Sequence, residues 1–475
     1  MQYKTHWFLW GLAAIIWIYI IYRAFSFPIT QDEAYSYFLV KTSYWRAMPG
    51  SANTHWANTL CMRLLLWLPG PDALWKIRGL PVLCWPLFVV SVFQISGSLR
   101  SYAIKGVFLA ATLLNPFLIF YFSLARGYAP GFAVQALSIW LLIRVCRQPN
   151  QSLQKWLPFF FAAALSVACN FSFFYCFLLF TLLYVLHLLY NGQYRSLLQK
   201  AALPWWSLTG STLLLTTGML FFIRQRGDLF YGGLDDPIRS ILGSLIRYST
   251  YLPYPSIWPV AGAFGLLALL LLASGYHAAA YLQQRRLSPP LLLTVSAVGV
   301  LLLCWLLHTL FGTPYLLDRT AFILYLPVVI GLLMTWDERV GRLPAAGWKK
   351  GHAGIAILLG MILLANAITA YNPNNFSEWP YQRDTEACLE LLQKSDAKKV
   401  GMTMWHHGVF HNFYQVEQPG KYHFDYTLLN KDSDLSTFDY LLITRKQENM
   451  PAIGKEWKIV AEHTGSGAVV LRRQP

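Results

Sequence analysis

Residues 7–33 read WFLWGLAAIIWIYIIYRAFSFPITQDE, and the rest of the chain is best interpreted outward from this stretch. The apolar run from Trp7 to Phe25 is long enough to cross a bilayer as a helix, which takes about 20 residues. It is followed by Ser-Phe-Pro rather than by a small-residue cleavage site, so we expect a retained first span and not a signal peptide. Asp32 and Glu33 stand where this span would emerge into water. Adjacent carboxylates so close to a bilayer are costly unless they serve a site, which makes them the first candidates for chemistry.

The composition is typical of an integral membrane protein. Of 475 residues, 56% are hydrophobic and 13% are charged, whereas a soluble domain is roughly 25% charged. Residues 1–370 hold only 9 acids against 26 Lys and Arg, while residues 371–475 hold 13 acids against 12. The positive charge therefore lies in the membrane part, where it favours anionic lipid or phosphate.

The apolar segments predict about eleven transmembrane helices. They cover residues 7–25, 80–97, 105–123, 127–145, 156–170, 173–190, 203–223, 256–281, 290–311, 319–336 and 352–370. With the N-terminus in the cytoplasm, every alternate loop is short and basic, as the positive-inside rule requires. These loops carry Arg100 and Lys105; Arg144, Arg147 and Lys155; Arg195 and Lys200; Arg285 and Arg286; and Arg339, Arg342, Lys349 and Lys350. An odd number of spans then places Asp32, Glu33 and the C-terminus together on the outer side.

Two domains are expected. Residues 1–370 predict a transmembrane domain whose first outer loop carries interfacial amphipathic helices at 34–68. Residues 371–475 predict a small soluble α/β domain, also on the outer side. Its predicted elements are a helix at Arg383–Lys394 and strands at Lys399–Met404, Tyr440–Thr444, Trp457–Glu462 and Gly467–Leu471. The fold class is an α-helical polytopic membrane protein with a C-terminal soluble α/β domain.

Four short elements of the outer loops resemble those of a known family. They are Gln31-Asp32-Glu33-Ala34-Tyr35 followed by the polar stretch His55–Asn58, then Lys76-Ile77-Arg78-Gly79-Leu80-Pro81, Leu124-Ala125-Arg126-Gly127-Tyr128, and Asp318-Arg319. With them the chain resembles the polytopic GT-C glycosyltransferases, in the branch of lipid A aminoarabinose transferases and protein O-mannosyltransferases. The resemblance covers the layout of residues 1–370.

The resemblance implies inverting transfer of a sugar from a polyprenyl-phosphate donor to a glycan, lipid or protein acceptor on the outer face of the membrane. One carboxylate must take the proton of the acceptor hydroxyl, and Asp32 is the expected base with Glu33 as its partner. Arginine side chains suit the phosphate leaving group. The candidates for the donor phosphate are Arg126, Arg78 and Arg319, with Lys76 and Arg63 in reserve, and those for other substrate contacts are Tyr35, His55, Asn58 and Tyr128.

No cofactor is expected, and a divalent metal is not needed when arginine side chains hold a monophosphate. Seven cysteines are scattered without a CxxC spacing, so neither a zinc site nor a disulfide framework is indicated. His407 and His411 have the spacing of two ligands on one helix face, but no third ligand accompanies them in the sequence. No Walker loop, dinucleotide fingerprint or nucleic-acid module is present. Besides donor and acceptor, membrane lipids are the expected partners.

Two other functions remain open at the level of sequence. A transporter or flippase of lipid-linked saccharides would place charged or broken sites near the bilayer midplane, whereas here the acids cluster at span ends. A non-catalytic membrane partner of an envelope complex would use the C-terminal domain for binding. The short loops favour the inner membrane of a bacterium, with the active site and C-terminal domain in the periplasm.

Overall fold

The structure is a computed structural model. It describes residues 2–42, 55–70, 74–148, 152–227, 232–250, 257–343, 346–371, 379–395, 397–445 and 452–474. The chain forms two compact units: the first comprises residues 1–20, 49–58 and 80–371, and the second comprises residues 21–48, 59–79 and 372–475. The predicted domain boundary at residue 370 accounts for only part of the second unit. That unit contains the C-terminal residues and also residues 21–48 and 59–79, which come from the end of the first span and the first outer loop.

Fifteen α-helices precede the C-terminal segment in the described residues. They are α1 (Gln2–Ser26), α2 (Gln31–Lys41), α3 (Trp56–Leu66), α4 (Leu74–Ser96), α5 (Tyr102–Leu113), α6 (Pro116–Phe122), α7 (Tyr128–Cys146), α8 (Leu153–Cys169), α9 (Phe174–Tyr190), α10 (Leu203–Gln225), α11 (Ser244–Thr250), α12 (Ile257–Gln284), α13 (Pro289–Phe311), α14 (Tyr325–Gly341) and α15 (Ala346–Ala370). Amphipathic helices were predicted in the loop segment 34–68: α3 lies within it, and α2 begins three residues before it. Residues 43–54 of that segment lie outside the described residues.

The membrane-spanning pattern is close to the prediction. Among the described helices, nine are long and apolar enough to cross a membrane, and α5 with α6 forms a tenth candidate that bends by 45°. The predicted span 156–170 corresponds to α8, which has only 17 residues. The chain is therefore an integral membrane protein.

Local sequence explains the bend between α5 and α6. The side chain of Asn115 accepts a hydrogen bond from the amide of Leu118 at 3.1 Å, and Pro116 occupies the first turn of the new helix. Asparagine favours an N-cap and proline a first-turn position, so one helix ends and another begins within the apolar segment. All seven residues of α6 are buried, which places the turn 123–127 in the interior of the first unit.

The C-terminal segment forms a five-stranded sheet with three further helices. The elements are α16 (Thr385–Lys394), β1 (Lys399–Met402), α17 (Met404–Val409), α18 (Gln415–Glu417), β2 (Asp425–Leu428), β3 (Tyr440–Thr444), β4 (Trp457–His463) and β5 (Ala468–Arg473). The strand order is β2-β1-β3-β5-β4. Strand β1 runs parallel to β2 and β3, and β5 runs antiparallel to β3 and β4. The predicted α/β domain is thus confirmed as a fold.

One strand of this sheet was not predicted. Strand β2 lies at the edge and none of its four side chains is buried. An edge strand with no buried face lacks the alternating apolar pattern by which strands are recognised in sequence. By contrast, all five residues of β3 are buried, and this central strand was predicted with its observed bounds.

Candidate functional site

Glu33 lies in the first turn of α2, where the chain turns out of α1. Thr30 caps this helix: its hydroxyl accepts from the Glu33 amide at 3.3 Å, and Glu33 Oε2 accepts from the Thr30 amide at 2.9 Å. This reciprocal arrangement is a capping box. The carboxylate is fully buried, so it needs a counter-charge.

Arg78, at the start of α4, supplies that charge. Its Nε donates to Glu33 Oε1 at 2.8 Å and its Nη2 to Oε2 at 2.7 Å, a two-pronged ion pair with no exposed side-chain surface. Its Nη1 donates to the carbonyls of Ala24 and Phe27 at 2.8 and 2.7 Å, and Nη2 also donates to the carbonyl of Pro28 at 2.9 Å.

An arginine side chain carries five N–H groups, and each has an acceptor within the protein here. Arg78 therefore satisfies backbone carbonyls at and just beyond the C-terminal end of α1, and it holds the Glu33 carboxylate in place. For Arg78 to bind the donor phosphate, as predicted, this network would have to open.

Asp32 differs from its neighbour. It remains partly exposed while Glu33 is buried, and it sits in the first turn of α2, where a carboxylate interacts favourably with the helix dipole. Its backbone carbonyl accepts from the hydroxyl of Ser36 at 3.0 Å. The structure thus separates the two acids: Arg78 and Thr30 hold the buried carboxylate of Glu33, whereas Asp32 is partly exposed, with its Oδ2 atom buried.

The reserve residues also belong to the second unit. Lys76 is buried and its Nζ donates to the carbonyls of Leu68 and Gly70 at 2.8 Å each. Arg63 is half-buried, with its guanidinium carbon 5.8 Å from the centroid of the Trp67 ring. Tyr35 is half-buried on α2.

The first unit contains a second group of predicted residues around His55. The His55 ring packs edge-on against the ring of Tyr128, with centroids 5.6 Å apart. Asn58, in the first turn of α3, donates from Nδ2 to the carbonyl of Ala125 at 3.0 Å. These contacts join the start of α3 to the turn before α7.

Gly127 makes this approach possible. A Cβ atom at position 127 would lie 1.9 Å from the carbonyl oxygen of Cys169 and 2.7 Å from Cβ of His55. Real Cβ atoms do not approach so closely, and the first obstacle is backbone. A side chain at this position would therefore push the turn away from His55.

Two arginines help to lower the pKa of His55. Burial first, and then the positive charges of Arg126 and Arg319, hold the pKa of His55 well below its usual 6.5. The imidazole is therefore neutral near pH 7, with one nitrogen as donor and one as acceptor. Within the described residues neither ring nitrogen has a hydrogen-bond partner, although the side chain is buried. A buried polar ring of this kind can offer a hydrogen bond to a ligand.

Asp318, the neighbour of Arg319, is held by contacts that sequence analysis did not identify. It adopts a left-handed backbone with φ of 53°. The Asp318 amide donates to Ser244 Oγ at 2.7 Å, and its carboxylate pairs with Arg247 at 3.3 Å. Arg247 lies on α11, and no motif signal in the sequence distinguishes it from other basic residues.

The predicted residues thus fall into two groups, which are described separately. Asp32, Glu33, Tyr35, Arg63, Lys76 and Arg78 belong to the second unit; His55, Asn58, Arg126, Tyr128 and Arg319 belong to the first.

A metal site was not predicted, and the described residues contain no cluster of three or more His, Cys, Asp or Glu side chains suited to a metal ion. The rings of His407 and His411 stack with centroids 5.8 Å apart, and His411 Nδ1 lies 2.8 Å from the hydroxyl of Tyr426. One of the ring nitrogens that the histidine spacing suggested as a metal ligand is therefore hydrogen-bonded to Tyr426.

Fold and composition define a polytopic helical membrane protein with a C-terminal α/β domain. The chain is similar in structure to ArnT from Cupriavidus metallidurans in the apo state, with 11% sequence identity, a TM-score of 0.55 and 98% of each chain covered. It is also similar to the structure of that protein bound to undecaprenyl phosphate, with 11% identity, a TM-score of 0.54, and 99% of this chain and 98% of the other covered. No protein-family model and no curated protein matches the sequence. At this identity the likeness is one of fold, and it confirms the fold that the sequence resemblance implied.

Proposed function

We propose that the protein is an inverting glycosyltransferase that moves a sugar from a polyprenyl-phosphate donor to an acceptor on the outer face of the membrane. The observation that carries this proposal is the difference between two adjacent acids: Glu33 is fully buried and paired with Arg78, whereas Asp32 is partly exposed. The similarity in fold to an ArnT bound to undecaprenyl phosphate supports a polyprenyl-phosphate carrier.

In the proposed reaction, Asp32 accepts the proton of the acceptor hydroxyl as that oxygen attacks the anomeric carbon from the face opposite the phosphate. The new carbon–oxygen bond forms while the bond to the phosphate oxygen breaks. The electron pair leaves with the polyprenyl phosphate, which gains negative charge. Glu33 remains ionised against Arg78 throughout and serves to position the first turn of α2.

The negative charge that builds on the leaving phosphate needs cationic partners. We propose that Arg126 and Arg319 bind this phosphate. Both lie close enough to His55 to influence its ionisation, so they form a concentrated positive field. His55 can add a hydrogen bond without adding a charge. Lys76 and Arg63 remain secondary candidates, because Lys76 is occupied by two backbone carbonyls and Arg63 lies against Trp67.

The experiment is sugar transfer by membranes that contain the wild type or Asp32→Asn, supplied with a panel of radiolabelled polyprenyl-phosphate sugars and total membrane acceptors. Asp432→Asn is the matched control, since Asp432 is an exposed aspartate in the turn between β2 and β3. We expect transfer by the wild type and the control, and loss of transfer in Asp32→Asn at equal protein levels. Equal transfer in all three would remove Asp32 as the base. An absence of transfer from every donor would favour a transporter or a non-catalytic partner.

A further inference from the structure

A polar cavity of about 260 Å³ lies in the first unit among the C-terminal ends of α12 and α14, the loop before α5 and the loop before α13. Its lining includes three arginines, Arg100, Arg286 and Arg342, together with Tyr276, Ser288 and Glu338. None of these residues belongs to the candidate site. The loops that form the cavity carry the basic residues of the positive-inside pattern, so the cavity lies on the side predicted to be cytoplasmic.

The cavity has an excess of positive charge. Within the described residues, the guanidinium groups of Arg100, Arg286 and Arg342 have no hydrogen-bond acceptor on the protein, and all three side chains are exposed. Glu338 is the one acid in the lining, and both Arg100 and Arg342 lie close enough to act on its charge. Three cations against one anion leave the cavity suited to a ligand with negative charge.

Neutral groups in the cavity add hydrogen bonds. The hydroxyl of Tyr276 is buried and has no partner among the described residues, which is costly unless a ligand or water satisfies it. Two guanidinium carbons lie over the Tyr276 ring, that of Arg339 at 3.7 Å and that of Arg342 at 5.7 Å from its centroid. The ring therefore helps to orient the cationic side of the cavity.

Asp337 fixes the loop that carries Arg100. One carboxylate oxygen accepts from the amide of Arg100 and the other from the amide of Ser101, each at 2.8 Å. The carboxylate is buried, so it orders the loop rather than facing the cavity entrance. Such preorganisation lowers the cost of ordering the site when a ligand binds.

The surface beside the cavity is apolar. Leu269 and Leu272, two turns and one turn before Tyr276 on α12, are 56% and 72% exposed, as expected of side chains that face lipid. A ligand with a phosphate and acyl chains can place its head group among the arginines and its chains along α12. Arginine binds phosphate through paired N–H groups, and basic pockets at the cytoplasmic ends of helices suit anionic head groups.

We propose that this cavity binds the phosphate of an anionic phospholipid on the membrane face predicted to be cytoplasmic. The site is separate from the proposed donor site, and its occupancy stabilises the packing of α12 against α14. The proposal does not depend on the glycosyltransferase activity.

The test is the midpoint of thermal unfolding of the purified protein in neutral detergent, with phosphatidylglycerol, phosphatidylcholine or glycerol 3-phosphate added. Native mass spectrometry counts the lipids that remain bound. We expect phosphatidylglycerol to raise the midpoint by several degrees and to remain bound, and phosphatidylcholine to do neither. Stabilisation by glycerol 3-phosphate equal to that by phosphatidylglycerol would overturn the lipid assignment and indicate a soluble phosphate ligand.

The variants are Arg100→Gln/Arg342→Gln, which removes two cavity cations, and Tyr276→Phe, which removes only the buried hydroxyl. Arg195→Gln is the matched control, because Arg195 is exposed on the same predicted side but does not line the cavity. The double variant should lose at least tenfold in phosphatidylglycerol affinity, Tyr276→Phe should lose less, and the control should bind as the wild type does. Equal binding by the double variant and the control would overturn the proposal, because the affinity would then come from general surface charge.

Discussion

Glu33 and Arg78, 45 positions apart in the chain, form a fully buried ion pair with N–O distances of 2.8 and 2.7 Å. Arg78 also holds three backbone carbonyls at the end of α1 and just beyond it. The pair therefore joins the end of the first span, the first turn of α2 and the start of α4. We therefore propose different roles for the two adjacent acids: Glu33 positions the first turn of α2, and Asp32 is the base.

Glu33→Gln should destabilise the protein strongly. It leaves the Arg78 charge buried without its counter-charge, and breaking a buried pair in this way costs about 3–5 kcal/mol. The measurement is the free energy of unfolding in detergent. Glu462→Gln is the matched control, because its pair with Arg445 is 2.9 Å long but exposed, and exposed pairs contribute about 0–1 kcal/mol. Equal losses for the two variants would contradict the structural part given to Glu33.

Gly127→Ala should disrupt the turn beside His55. The added Cβ would lie 1.9 Å from a backbone oxygen, and overpacking of this kind costs about 1–3 kcal/mol or more. Gly106→Ala is the control, since a Cβ at that helical position meets nothing within 4 Å and alanine favours a helix over glycine by about 0.5–1 kcal/mol. We expect a lower unfolding midpoint for the first variant and an unchanged or higher one for the second. A midpoint of Gly127→Ala at or above the wild-type value would show that the turn tolerates a side chain.

His55 should contribute to the loss of folding stability at acidic pH. Its pKa in the folded protein is held well below 6.5 by burial, Arg126 and Arg319, so below pH 6.5 the unfolded chain binds a proton that the folded chain does not. Stability therefore falls as the pH drops through 6.5 towards the folded pKa. His55→Gln should lose less stability than the wild type between pH 7 and pH 5. The measurement is the unfolding midpoint across that range, and parallel curves would show that His55 titrates normally.

The two proposed phosphate ligands should affect turnover more than protein level. Arg126→Gln and Arg319→Gln should each lower kcat by about 10²–10³-fold if each arginine stabilises charge in the transition state. Arg126→Lys should recover only part of the loss, because an ammonium lacks the planar fork of arginine. Transfer assays with a saturating polyprenyl-phosphate sugar measure this. A rise in KM with unchanged kcat would instead assign both side chains to ground-state binding.

Chelation of divalent metals should leave transfer within about twofold of the untreated rate. The expected leaving group is a phosphate monoester anion, and positioned arginines can stabilise its charge as a metal would. The assay compares membranes treated with EDTA and membranes supplied with Mg²⁺ or Mn²⁺. Loss of transfer on chelation and recovery with one of these ions would contradict this prediction.

Sequence analysis predicted the helical spans because an apolar helix in lipid must satisfy its own backbone and is therefore visible as a long apolar run. It did not predict the edge strand Asp425–Leu428, since that strand buries no side chain. Among the candidate residues it recognised Asp32 and Glu33 by their rarity and named Asp32 as the expected base, but it did not reveal that Glu33 is paired with Arg78. It also assigned Arg78 to a phosphate, because composition does not reveal whether the N–H groups of an arginine already have acceptors.

The sequence by itself determined the membrane class, the approximate number of spans and the presence of a C-terminal α/β segment. These properties follow from local composition and periodicity, which act over a single helix or strand. Only the tertiary structure decided which charges meet. The pairing of Glu33 with Arg78 and the neutral state of His55 beside Arg126 and Arg319 depend on contacts between segments far apart in the chain. Electrostatic energies vary steeply with distance and burial, and neither quantity is encoded in any short stretch of sequence.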